Sequence, residues 1–267
     1  MPQFKVTHYR VRTGEGRRGP ERPFSAVLLC DLHNMSYGEN NSELLAQIRN
    51  ENPAVVFVAG DLLTSTREPQ MDAALSLLDE LTKKYPVYYA NGNHEHRLKL
   101  DPDYYADAYE RYSTMIKSFG VHLLENTCSR LTVERLDMTV WGLELPKSYF
   151  RRGGSREPGV AEIETLLGPK PDDGSFHVLL AHHPGYFSSY AGWGADLTLS
   201  GHLHGGIVRL PFFGGVISPQ MRLFPRYDRG LYTLDGRRLV VSAGLGSHTV
   251  NLRINNPPEL VVIDFIR

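Results

Sequence analysis

The chain has 267 residues, 41% of them hydrophobic and 22% charged, with a formal net charge of −1. That length suits one large α/β domain, read here as a single domain over residues 1–267, and the composition excludes a disordered or fibrous chain. Near-neutral charge supplies no general field for a nucleic-acid backbone, no run approaches the roughly 18 apolar residues of a membrane span, and residues 1–12 lack the apolar centre of a signal peptide.

These features lead to the expectation of a cytoplasmic protein, with contact at a membrane surface left open. Two cysteines, Cys30 and Cys128, make no disulfide framework and are expected to be reduced packing residues.

Phe4 to Val11 reads as a first strand, and the Gly-, Pro- and Arg-rich Gly14 to Pro23 as a polar loop. Phe24 to Cys30 is a short apolar run of the kind buried on both faces. It ends at Asp31-Leu32-His33-Asn34. Asn40-Asn41-Ser42-Glu43 offers N-cap chemistry to a helix with Leu44, Leu45 and Ile48 on one face. Ala54 to Ala59 is a second buried strand and runs into Gly60-Asp61. Met71 to Lys84 is helical by the spacing of Ala74, Leu75, Leu78 and Leu81. Pro86 to Ala90 is a third strand and ends at Asn91-Gly92-Asn93-His94-Glu95.

Tyr104 to Phe119 reads as one helix. Val121 to Leu124 is a strand, and Leu131 to Leu143 a hairpin turning at Leu136-Asp137. Tyr149 to Gly159 is a basic loop carrying Arg151, Arg152 and Arg156, a candidate to attract an anionic substrate. Phe176 to Ala181 is another strand, closed by His182-His183. Ala195 to Leu199 runs into Ser200-Gly201-His202-Leu203-His204-Gly205-Gly206. An extended backbone would put His202 and His204 on the same side. Phe212 to Pro225 reads as an irregular aromatic insertion, a candidate lid or binding wall. Leu239 to Ser242 and Leu260 to Ile266 close the chain as strands.

Successive strands thus deliver Asp31, His33, Asp61, Asn93, His94, His182, His202 and His204 at their C-terminal ends, where sites collect in α/β sheets. Turn chemistry accounts for Gly and Asn at such places, but not for recurring Asp and His. Mixed imidazole and carboxylate donors suit manganese, iron, zinc, cobalt or nickel better than magnesium or calcium. The donors outnumber those of one tetrahedral zinc. They suffice for two divalent ions if a carboxylate bridges. Such a pair generates a hydroxide near neutral pH and neutralises developing charge at phosphorus, which predicts phosphoester hydrolysis.

Asp31-x-His33, Gly60-Asp61, Gly92-Asn93-His94-Glu95, His182 and Gly201-His202-x-His204 resemble, in order and spacing, the motifs of the calcineurin-like metallophosphoesterases. The tail, with Val241-Ser242-Ala243-Gly244-Leu245-Gly246 and Pro257-Pro258-Glu259-Leu260, resembles a bacterial branch of small phosphodiesterases similar to UDP-2,3-diacylglucosamine pyrophosphatase. The resemblance implies a four-layer α/β/β/α sandwich with two facing mixed sheets. It implies two divalent ions, manganese foremost: Asp31, His33 and His204 on the first, Asn93, His182 and His202 on the second, and Asp61 between them. His94 would face the substrate and protonate the leaving alkoxide. Many relatives carry an acid three residues after the bridging Asp, where it orients that histidine. Here the position is Thr64, so Glu95 or another acid takes over, or His94 works with less help.

The expected substrate is a small or lipid-linked phosphodiester, with Phe212, Phe213, Phe224 and Tyr227 as a candidate apolar wall. A nuclease on the same scaffold would need a basic, aromatic-lined track, against which the net charge argues. A non-catalytic scaffold would be expected to have lost ligands, and here every position is filled. His183, His96 and His248 read as structural, Asn34 as a candidate contact to a phosphate oxygen, and Arg253 as either a site residue or a surface ion pair.

Overall fold

The computed structural model describes residues 4–13, 19–151, 156–206, 208–210, 214–217, 223–247 and 253–267. In chain order the strands are β1 (Lys5–Arg12), β2 (Phe24–Leu29), β3 (Val55–Val58), β4 (Val87–Ala90), β5 (His122–Leu124), β6 (Thr127–Val133) and β7 (Leu136–Leu143). They continue with β8 (Phe176–Ala181), β9 (Leu197–Ser200), β10 (Val208–Leu210), β11 (Gly214–Ile217), β12 (Gly230–Leu234), β13 (Arg237–Val241) and β14 (Glu259–Ile266).

One sheet has the order β1-β14-β2-β3-β4-β5 and the other β12-β13-β9-β8-β7-β6, while β10 and β11 make a separate hairpin. Both sheets are mixed. In the first, β2, β3, β4 and β5 are mutually parallel and β14 runs against β2. In the second, β13, β9, β8 and β7 are parallel and the two edge strands are antiparallel.

The helices are α1 (Ser42–Glu51), α2 (Asp72–Thr82), α3 (Asn93–Leu100), α4 (Pro102–Tyr105), α5 (Ala108–Ser118), α6 (Val160–Leu167) and α7 (Phe187–Trp193). Alternation along each strand sorts its side chains into two cores. Val27, Leu29, Val56 and Val58 face outward against Ile48 of α1, Leu78 of α2 and Tyr112 of α5. Ala26, Leu28, Val55 and Phe57 face inward and meet Val140, Val178, Leu180 and Leu199 of the other sheet. On the far side Leu179 and Ala181 pack against Ile163 of α6 and Tyr190 and Trp193 of α7. The result is the four-layer α/β/β/α sandwich. Each fully buried aliphatic or Phe side chain in it contributes about 1.5–3 kcal/mol. No helix among the described residues is long and apolar enough to cross a membrane.

Several local expectations are corrected. The helix expected over Tyr104 to Phe119 breaks at Ala106, whose φ of 51° cannot continue a right-handed turn, leaving α4 and α5. Asn41 stands at the N-cap of α1 without a capping bond, because its side-chain oxygen accepts from the Tyr37 N–H instead. The β6–β7 hairpin turns at Glu134-Arg135, both left-handed, and its first arm begins at Thr127. Cys30 is buried but Cys128 is exposed on β6, so only Cys30 is a packing residue; both are free thiols. Part of the supposed irregular insertion is strand β11. Phe212 and Phe213 lie outside the described residues, as do His248, Arg152 and residues 14–18 of the first loop.

Candidate metal centre

The C-terminal ends of β2, β3, β4, β8 and β9 point to one edge of the sandwich, and the loops leaving them converge there. Period-two alternation is not what gathers the donors. Asp31, His33, Asp61, His202 and His204 all have φ between 47° and 69°, in the left-handed region. Non-glycine residues rarely adopt it, and such strain concentrates at functional sites. His202 and His204 consequently do not aim at the same point.

Asp31, His33 and His204 form one buried group of candidate ligands, and Asp61, His182 and His202 another, each with its ligating atoms within 4.8 Å of one another. A third such group links His33, Asp61 and His94. The Nε2 atoms of His33 and His204 are 3.2 Å apart, and His204 Nε2 is 3.4 Å from Asp31 Oδ1. On the other side His182 Nε2 lies 3.0 Å from Asp61 Oδ2, the oxygen that also stands 4.0 Å from His33 Nε2. Asn93 opens α3 beside these groups, and its Oδ1 is buried without a hydrogen-bond partner among the described residues.

The carboxylates are fixed through the loops opposite them. Asp31 accepts the His202 N–H at 3.0 and 3.1 Å, and Asp61 Oδ1 accepts the His94 N–H at 2.8 Å. Two glycines permit these approaches: a Cβ at Gly201 would collide with Asp31 Oδ2, and one at Gly92 with Asp61 Oδ1.

Burial pushes the Asp31 carboxyl up to about 7. Burial would raise Asp61 as well, but His182 and His94 hold it below the usual carboxylate range. His182 is disfavoured as a cation by burial, yet Asp61 lifts it to about 9. Burial, with His183 and His182 beside it, holds His202 well below the ordinary imidazole range. Acids and imidazoles packed this closely titrate as a group, and a bound cation would take the place of their shared protons.

The second ring nitrogens distinguish the histidines. Ala59 C=O accepts from His182 Nδ1 at 2.6 Å, and Leu63 C=O accepts from His33 Nδ1 at 3.2 Å. A carbonyl requires a proton on Nδ1, so the lone pair that a metal would use falls on Nε2, facing the centre, once any proton there is displaced. His94 is the reverse. The Ser65 backbone N–H donates to its Nδ1 at 2.9 Å, so its proton sits on Nε2. The donor set, the tautomers of His33 and His182, and the unpartnered Asn93 oxygen therefore fit divalent metal ions.

The family description of the calcineurin-like phosphoesterases matches residues 26–206. The chain belongs to the calcineurin-like phosphoesterases. It is 23% identical over 233 residues to the uncharacterized metallophosphoesterase YkoQ of Bacillus subtilis, covering 87% of this chain and 80% of that protein. To phosphodiesterase YaeI of Escherichia coli it is 23% identical over 246 residues, covering 91% and 83%. A Staphylococcus aureus structure titled as a candidate 5′-nucleotidase shares the fold, with a TM-score of 0.50 at 12% identity over 90% of this chain and 54% of that one. As a calcineurin-like phosphoesterase the chain is a metal-dependent phosphoric ester hydrolase. These matches carry the resemblance to the family and not to the narrower UDP-2,3-diacylglucosamine branch.

In this phosphoesterase, among the described residues, Ser65 rather than a carboxylate meets His94 Nδ1 beside Thr64. Ser65 Oγ lies 2.9 Å from His94 Nδ1 and accepts from Arg97 Nη1 at 3.1 Å. Glu95 points away from His94 and is fully buried. It accepts the N–H groups of Asp61, Leu63 and Gly92 and the hydroxyl of Tyr89, at 2.9–3.0 Å, and so ties the β3 loop to the start of α3. Sequence reasoning missed Ser65, because the bond that matters is made by its backbone.

His183 stacks on Tyr186 with ring centroids 4.4 Å apart and accepts the Gly185 N–H, behind His202 rather than in a ligand group. His96 is buried on α3. Asn34 has φ 61° in the first ligand loop and a buried, unpartnered Oδ1. Among the described residues Arg253 makes no surface ion pair: it donates to the carbonyls of Ala243, Gly244 and Gly246, with Nη2 3.4 Å from His204 Nδ1. Tyr227 is buried against Phe187 and forms no wall, whereas Leu223 and Phe224 are exposed.

Proposed function

We propose that the chain is a phosphodiesterase with a dinuclear metal centre. In this reading Asp31, His33 and His204 hold one divalent ion, Asn93, His182 and His202 hold the other, and Asp61 serves both. The observation that carries it is the two buried donor groups, Asp31 with His33 and His204 and Asp61 with His182 and His202, with Asp61 Oδ2 4.0 Å from His33 Nε2 and an orphaned amide oxygen at Asn93. Imidazole, carboxylate and amide donors together favour manganese, iron or zinc over magnesium or calcium; manganese is the first choice. When bound, such ions supply an activated water and positive charge for the phosphoryl oxygens.

The chain's own groups do the rest. Glu95 and the glycines fix the two aspartates. Ala59 and Leu63 carbonyls hold two imidazoles in the ligating tautomer. His94 presents Nε2–H toward the centre, 4.0 Å from Asp61 Oδ2, where it would donate a hydrogen bond to the leaving oxygen and stabilise its developing charge. His94 Nδ1 already accepts the Ser65 backbone N–H, so the face that Thr64 leaves without an acid is met by a donor instead.

A lipid-linked diester is a second reading, favoured by Leu223 and Phe224, 68% and 58% exposed near the hairpin of β10 and β11. The test of the first is metal content together with turnover of bis-p-nitrophenyl phosphate. Wild-type protein loaded with Mn²⁺ should hydrolyse the diester, and Asn93→Ala and His202→Ala should each lose one ion and most of the rate. Unchanged stoichiometry in both variants would refute the assignment.

A further inference from the structure

A small pocket of about 150 Å³ opens beside Asn93 and is lined by Asn93, His96, Arg97, Leu100, Lys147, Phe150 and Arg151. Three of these residues are cations and none is a carboxylate. The nearby acids are engaged elsewhere: Glu125 and Glu144 pair with Lys99 at 2.6 and 2.8 Å, and Glu95 is turned to the loop amides. Arg156 of the same basic segment is held by Glu162 at 2.6 Å. Lys147 and Arg151 are exposed and have no hydrogen bond or ion pair among the described residues. Arg97 is half-buried, and its guanidinium reaches Ser65 Oγ, one step from His94.

Phe150 joins the pocket to the centre, its ring 5.3 Å from that of His202 and 6.4 Å from that of His182. The Lys147–Phe150 turn carries it there, packed over α3. The volume equals that of roughly five waters. It is below the usual range for a whole small-molecule ligand, and admits a phosphate with its first ester carbons. Cations without a carboxylate partner among the described residues, gathered around a partly enclosed space, form a site for an anion, and guanidinium groups match phosphate oxygens in pairs.

We infer that this pocket is a phosphate subsite, and that the preferred substrates are phosphodiesters carrying a second phosphate one sugar-length from the scissile one. This rests on the phosphodiesterase reading above and names the substrate class of that site. A nucleoside or sugar with phosphates on two positions has this form, and a neutral lipid diester does not.

The test compares thymidine 3′,5′-bisphosphate with thymidine 5′-monophosphate as competitive inhibitors of bis-p-nitrophenyl phosphate hydrolysis by the Mn²⁺-loaded protein. The bisphosphate should bind at least about tenfold more tightly, an advantage that shrinks as salt screens the cations. In the Lys147→Met/Arg151→Met variant that advantage should fall to about twofold. The monophosphate constant should change by less than about threefold, so that the loss is specific to the second phosphate.

Equal inhibition by both compounds in wild type would overturn the inference, as would a variant that weakens both alike. Should the loaded protein fail to hydrolyse the diester, the phosphodiesterase reading falls, and calorimetric titration with the same two compounds still decides the pocket: a bisphosphate advantage abolished in the double variant supports it, and equal affinities refute it.

Discussion

Replacing Glu95 by Gln tests whether the Asp61 loop depends on a buried strut. Oε2 accepts the Asp61 and Gly92 N–H groups, and Oε1 accepts the Leu63 N–H and the Tyr89 hydroxyl. An amide keeps one oxygen, so its NH₂ must face two donors. The less costly placement is toward Leu63 and Tyr89, because the Tyr89 hydroxyl can rotate and accept. That strands the Leu63 N–H, at about 1–3 kcal/mol, and turns the bonds from Asp61 and Gly92 into neutral ones. The sum is about 3 kcal/mol. At 2–4 °C per kcal/mol for a chain of this size, Tm should fall by about 6–12 °C. Differential scanning calorimetry of chelated protein measures it without any contribution from bound metal. A fall of less than about 2 °C would show that the carboxylate carries no such load, and the account of how Asp61 is held would have to be abandoned.

Other consequences follow from the same geometry. His94→Ala should retain both metals by elemental analysis and lose about 10²–10³ in rate with alkoxide leaving groups. The loss should be smaller with p-nitrophenolate, and an equal loss for the two would count against a donor role at the leaving oxygen. Ser65→Ala keeps the backbone N–H and should change the rate less than threefold, whereas Ser65→Pro removes that donor and should lower it toward the His94→Ala level; equal effects would contradict the tautomer argument. Gly92→Ala places a Cβ against Asp61 Oδ1 and should reduce manganese bound per chain, as read by equilibrium dialysis. His182, raised by Asp61 from 6.5 to about 9, contributes stability to the chelated protein that is complete below pH 6.5 and is lost as pH climbs through about 9. Urea unfolding should show that slope in wild type and lack it in His182→Ala.

The sheets were legible because their strands are buried on both faces: Val55–Val58 is a continuous apolar run, Phe176–Ala181 is one broken only by His177, and both lie between two cores. Helix α3 was not, because Asn93–Leu100 is almost entirely polar and has no apolar face to announce it. It is started by the Gly92 N–H bonding to the Glu95 carboxylate, a long-range strut that serves as a local cap. The candidate ligands were visible as residue types at strand ends, yet their convergence does not come from the alternation that suggested it. Left-handed φ angles at Asp31, His33, Asp61, His202 and His204 bring them together, and no pattern of side chains encodes those angles. The tautomer of His94 was out of reach for a related reason: a backbone N–H has no letter of its own in a sequence.

The dinuclear centre itself is tested most directly by counting bound Mn²⁺ per chain at saturation, by equilibrium dialysis of wild type and of Asp61→Asn. A shared carboxylate predicts two ions in the wild type and at most one in the variant. A single ion in the wild type, or two ions retained after the substitution, would contradict it.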